Sequence, residues 1–169
     1  MMRTLFTAGL LVLLIISCTS QRVSERDHSC RPITWQGFLN QPFHVVLSLD
    51  SVNKAYGGRF RLTRFLRKVG HKDRAKDTIY RFHNKHTSLL FYTTSSGKES
   101  FLTSKIADRS LGLRPCLRVG MPRIRVEELI TGFPSDFQDT VTLHNDQRQA
   151  VFIFKESQLK TVVINNFFK

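Results

Sequence analysis

Apolar positions fall into three rhythms along this chain. Leu5–Ile16 is a continuous apolar run, interrupted only by Thr7, Ala8 and Gly9. Residues 19–31 then hold a single aliphatic side chain, Val23. From Pro32 onward apolar residues return at helical and strand spacings, with Trp35, Phe38, Leu39 and Phe43 as the first candidate core residues. Ser48-Leu49-Asp50-Ser51-Val52 supplies capping residues to a short helix ending at Tyr56-Gly57-Gly58. Leu62–Val69 reads as a second amphipathic helical stretch. Val126, Leu129 and Ile130 stand at i, i+3 and i+4, and Gly132-Phe133-Pro134 ends that helix.

Strand patterns follow the helical ones, and their order recurs. Asp77-Thr78-Ile79-Tyr80-Arg81-Phe82-His83-Asn84 reappears, one residue shorter, as Asp139-Thr140-Val141-Thr142-Leu143-His144-Asn145. Each copy leads into an apolar run, Leu89–Tyr92 or Ala150–Phe154, and then a polar turn, Ser95–Lys98 or Lys155–Gln158. Final apolar stretches follow at Phe101–Ile106 and Leu159–Phe168. The pattern predicts an α+β fold of two similar helix-plus-antiparallel-strand units, 32–110 and 111–169, with helices packed on one sheet face. Phe91 and Phe152 are expected at equivalent inward positions.

The start of the chain reads as an address. One positive charge at Arg3 and a twelve-residue apolar run describe a secretory signal peptide over 1–17. The run is too short for the roughly 20 residues of a membrane-spanning helix. Ile15-Ile16-Ser17-Cys18 resembles the lipobox of bacterial lipoproteins, in which the cysteine becomes the lipidated N-terminus. Ordinary cleavage after Ser17, Thr19 or Ser20 is the alternative. With Cys18 lipidated, Cys30 and Cys116 remain as an even pair suited to an oxidising compartment. Two unpaired thiols are the other option, since spacing alone does not place the two Cα atoms. Residues 18–31 then form a lipidated N-terminus and flexible tether.

Charge adds one more feature. The 169 residues hold 26 Lys+Arg against 13 Asp+Glu, a formal net charge of +13. Arg59, Arg61, Arg64, Arg67, Lys68, Lys72, Arg74 and Lys76 crowd eight cations into eighteen residues, opposed by Asp73 alone. Phe60, Leu62, Phe65, Leu66 and Val69 are interleaved with them. This stretch is a solvated helix face, a site for an anionic partner or lipid head group, or, least in keeping with export, a nucleic-acid contact.

Reactive constellations are not apparent. His83 and His86 stand three apart, a spacing that sends strand side chains to opposite faces. With His71 and His144 they could meet in space, yet the recurrence of the two segments explains His83 and His144 more simply than a metal site does. No serine lies in G-x-S-x-G, and no phosphate-binding glycine loop is present. Asp77 and Asp139 precede strands and are expected to bond turn backbone. The residues therefore predict a binding protein with no catalytic residue, metal or cofactor. Freely secreted binding of anionic polysaccharide is the alternative to an envelope role.

The second unit resembles a known family. Gly120-Met121, four residues, Val126, two residues, Leu129 and then Gly132-x-Pro134 is similar to the G-M-x4-V…G-x-P motif of small bacterial outer-membrane lipoproteins. Those include the small lipoprotein subunit of the outer-membrane β-barrel assembly machine, and the β-lactamase inhibitor proteins share their fold in tandem. Phe154–Val162 is similar to the family's strand–turn–strand segment. Pro122 departs from the usual Ser or Thr helix cap, and one extra residue separates Val126 from Gly132. The resemblance covers residues 118–168 and implies a non-catalytic protein-binding or scaffold lipoprotein in the periplasm, attached to the outer membrane.

Overall fold

The computed structural model describes residues 30–68, 76–135 and 138–167. The signal region, Cys18, Lys72 and Arg74 lie outside the described residues, as do nearly all of the tether and His71.

Thr34 opens the described fold twice over. It ends the two-residue strand β1 (Ile33–Thr34), and its hydroxyl caps helix α1 (Trp35–Asn40) by accepting from Gly37 N. Helix α2 (Leu49–Tyr56) begins at Ser48 in a capping box. Ser48 Oγ accepts from Ser51 N while Ser51 Oγ accepts from Ser48 N. Strands β2 (Arg61–Lys68), β3 (Lys76–His83), β4 (Ser88–Thr93) and β5 (Glu99–Ile106) follow. After helix α3 (Arg123–Leu129) come β6 (Ile130–Thr131), β7 (Thr140–His144), β8 (Arg148–Lys155) and β9 (Gln158–Asn166). β1 pairs in parallel with β6. The other strands form one antiparallel sheet in the order β2-β3-β4-β5-β9-β8-β7.

This corrects the α+β expectation. The protein is mostly antiparallel β-sheet, and no layer of helices forms two helix-on-sheet units. Two physical reasons account for the difference. The three described helices have six, eight and seven residues and bury one or two side chains each, too few to cover a seven-stranded face. Loop residues Leu111, Leu113, Leu117 and Phe133 share in covering it. The other reason is that Leu62–Val69 is not helical. Arg61–Lys68 pairs residue for residue with β3, from Arg61 opposite His83 to Lys68 opposite Lys76. Its apolar spacing fits a helix stripe, but eight ladder positions and β-favouring Thr63 and Phe65 decide for the strand.

The recurrent segments do form matching local structure. Asn84 Oδ1 accepts from His86 N and Thr87 N, and Asn145 Oδ1 accepts from Gln147 N and Arg148 N. Each asparagine thus closes the turn between the first two strands of a three-stranded meander, β3–β5 or β7–β9. Phe91 and Phe152 lie on the middle strand of each, and both are fully buried. Phe91 packs between Phe82 and Phe101, with centroids 5.9 and 5.5 Å away. Phe152 packs between Phe38 of α1 and Phe133, at 5.4 and 5.1 Å.

Two local devices fasten the ends. Cys30 and Cys116 stand at disulfide distance, S–S 2.16 Å, with Cα atoms 5.6 Å apart. Gly132 adopts φ +77°, and a Cβ there would stand 3.0 Å from Trp35 Cδ1. Glycine therefore serves both the turn after β6 and the close approach of the Trp35 ring.

Candidate interaction face

Alternation divides each strand between two sides. Phe82, Leu89, Phe91, Ile106, Val162, Ile164 and Phe152 point to the core. The opposite side of β2–β5 carries Phe65, Ile79, Leu90, Tyr92, Ser100 and Leu102, all partly or largely exposed. Phe65 stands opposite Ile79, which stands opposite Tyr92. A cation-lined hollow of about 380 Å³ opens here between Arg67, Ile79, Tyr92, Lys98 and Leu102.

β2 is one edge of the sheet, so one side of its backbone has no ladder partner among the described residues. Long apolar edge strands are templates for pairing, and charged side chains on them deter pairing with copies of the same chain. Leu62, Phe65 and Leu66 are 49%, 50% and 58% exposed, so this edge displays large apolar side chains as well as charge.

The predicted basic residues divide around this strand. Arg61 and Arg67 share the outer side with Phe65, whereas Arg64 lies over the Tyr80 ring at 5.8 Å. Arg59 is exposed just before the strand, and its N–H donates to Tyr56 O. Lys76 and Lys68 stand opposite each other at the far end. Sequence reasoning missed Arg81, Lys98 and Lys105, which lie outside the basic stretch but are exposed on the same sheet side. Period-2 alternation around Ile79 was the available signal for Arg81. Only strand pairing reveals Lys98 and Lys105. Among the described residues Arg61, Arg67, Arg81, Lys98 and Lys105 form no ion pair.

The nearest carboxylate is already engaged. Asp77 lies buried within β3 and not ahead of it, yet it bonds turn backbone as expected. Its Oδ1 accepts from Ser95 N at 2.9 Å, and its Oδ2 accepts the Tyr92 hydroxyl. That hydrogen bond, helped by burial and the Asp77 charge, holds the Tyr92 phenol above its ordinary pKa, while Arg67 pulls the other way. Asp77 thus fixes the Tyr92 ring on the face.

His83 serves locally. His83 Nε2 lies 3.2 Å from Thr63 Oγ1 across β2 and β3, and no group of three metal-ligating side chains occurs among the described residues. No described helix is long and apolar enough to cross a membrane. Comparison with protein families, with curated proteins and with solved structures finds no match for the chain.

Proposed function

We propose that this chain is an exported envelope protein, lipid-anchored at Cys18, that acts without catalysis by binding an acidic protein partner beside β2. One observation carries the reading: cations with no ion-pair partner among the described residues rim an apolar, aromatic centre beside β2, an edge strand of the described sheet. An apolar centre with a polar rim, enriched in Phe, Tyr and Arg, is the anatomy of a protein interface. Polysaccharide or lipid head groups would satisfy the cations but leave Phe65, Ile79 and Leu102 against water. An acidic extended segment would satisfy cations, apolar side chains and the free ladder together.

Photo-crosslinking tests this. A photoreactive phenylalanine analogue at position 65 should yield a discrete protein adduct in cell envelopes. Replacing Arg61, Arg64, Arg67 and Lys68 by glutamine should abolish that adduct while the melting temperature stays unchanged. Adducts with lipid or polysaccharide alone, or an undiminished adduct in the variant, would overturn the reading.

A further inference from the structure

On the core side of the sheet, away from the basic face, residues of Asn40–Leu47 line a half-open cavity of about 510 Å³ together with Phe101 of β5 and Arg148 of β8. Ligand cavities typically measure about 300–1,000 Å³. Phe43, Val45, Val46, Leu47 and Phe101 form its apolar wall, with the Phe43 ring set edge-on to Phe101 at 5.8 Å. Arg148, the first residue of β8, supplies the contrasting group.

The position of that arginine is fixed. Its Nε donates to Asn166 Oδ1 at 2.5 Å, and its Nη1 donates to Leu39 O at 2.5 Å and Asn40 O at 3.1 Å. All three acceptors are neutral, and among the described residues no carboxylate pairs with Arg148. An arginine does not shed its charge in a protein, so a partly desolvated guanidinium still attracts an anion. Arg114 adds a second positive charge nearby, donating to Gln41 Oε1 in that lining while its N–H donates to Pro42 O.

We infer that this cavity binds a small aliphatic carboxylate, the head group on Arg148 and the chain against the Phe43–Leu47 and Phe101 wall. A cation fixed in position at an apolar wall requires a ligand with both characters. An inorganic anion would leave the wall wet, and a neutral alcohol would leave the guanidinium without a counter-charge.

Octanoate is the probe, added to the full-length chain while amide shifts of Val45, Val46 and Leu47 are followed. Those signals report the cavity itself and not partition elsewhere. Octanoate should saturate the shifts at millimolar concentration, with 1-octanol and inorganic phosphate each at least tenfold weaker. Arg148→Gln should weaken octanoate at least tenfold, but this change also releases the Leu39 and Asn40 carbonyls. Val46→Glu avoids that problem: Val46 is 78% exposed, so the fold should tolerate the change while the wall gains a negative charge. It too should weaken octanoate at least tenfold and leave octanol nearly unchanged. Equal binding of octanol, equal binding of phosphate, no saturation by octanoate, or undiminished octanoate binding by Val46→Glu would each overturn the inference.

Discussion

Asp108 orders two turns with one carboxylate. Its Oδ1 accepts from Thr87 Oγ1 at 2.8 Å and from the Ser110 backbone and hydroxyl, and its Oδ2 accepts from Asn84 Nδ2 at 2.8 Å. Burial alone would raise its pKa. The hydrogen bonds from Ser110, Thr87 and Asn84 outweigh that and leave the carboxyl below its ordinary value. A depressed folded pKa contributes stability above the ordinary carboxylate value, and that stability is lost as pH falls through the folded value. Asp108→Asn should therefore lower the urea midpoint near neutral pH and flatten its decline on acidification. Asparagine keeps one acceptor oxygen but puts an NH2 where the other stood, so either the buried Thr87 hydroxyl or Asn84 Nδ2 then faces a donor, which should cost roughly 1–3 kcal/mol. An unchanged acid profile would remove Asp108 from this account. Phe91 and Phe152, each gripped by two rings, are the corresponding apolar positions. Phe91→Ala or Phe152→Ala should each cost about 3–5 kcal/mol by urea denaturation. A loss below about 1 kcal/mol at either would mean its site collapses around the gap.

At the scale of elements, legibility tracked whether the deciding interaction was local. The α2 start was readable because Ser48 and Ser51 cap it from within four residues, and the recurrence of 77–84 in 139–145 because it is a pattern of neighbours, though the turns that Asn84 and Asn145 close at its end went unread. Segment 61–68 misled because its partner, β3, lies beyond residues 69–75. Leu62, Phe65, Leu66 and Val69 fit a helix until a ladder is offered. The same change of element altered the site. A helix would have placed its arginines on one solvated stripe, whereas the strand sends Arg61 and Arg67 to one side and Arg64 to Tyr80. Lys98, Lys105 and Arg148 were illegible for the same reason, since pairing alone brings them to their neighbours, whereas the alternation around Ile79 could have marked Arg81. The Cys30–Cys116 pair was legible as arithmetic, and the fold supplies the 5.6 Å Cα separation that arithmetic lacks. With a sequence separation of 86, reduction should destabilise the protein by roughly 4–5 kcal/mol in the chain-entropy view. Urea midpoints with and without reductant check this, and equal midpoints would show that the pairing adds nothing.

On the scale of the whole molecule, the proposed anchor at Cys18 and the basic face impose limits on one another. The proposed lipid at Cys18 would stand at the start of a twelve-residue link to Cys30, which lies at disulfide distance from Cys116. Fully extended, that link reaches about 40 Å. The net charge of +13 adds attraction to an anionic leaflet, but salt screens it, shrinking the Debye length from about 10 Å at 0.1 M to about 3 Å at 1 M. Lipid insertion is apolar and unaffected by such screening, so the two contributions separate experimentally. The parent protein should remain with membranes through a 1 M salt wash. Cys18→Ala should be released by that wash, though at low salt the basic surface can still hold part of it. Adding the four glutamines at Arg61, Arg64, Arg67 and Lys68 to Cys18→Ala should bring release at low salt as well. Retention of Cys18→Ala after the high-salt wash would rule out the lipid at Cys18 as the anchor. Release of the parent by that wash would leave charge alone holding the protein, and with it the freely secreted alternative.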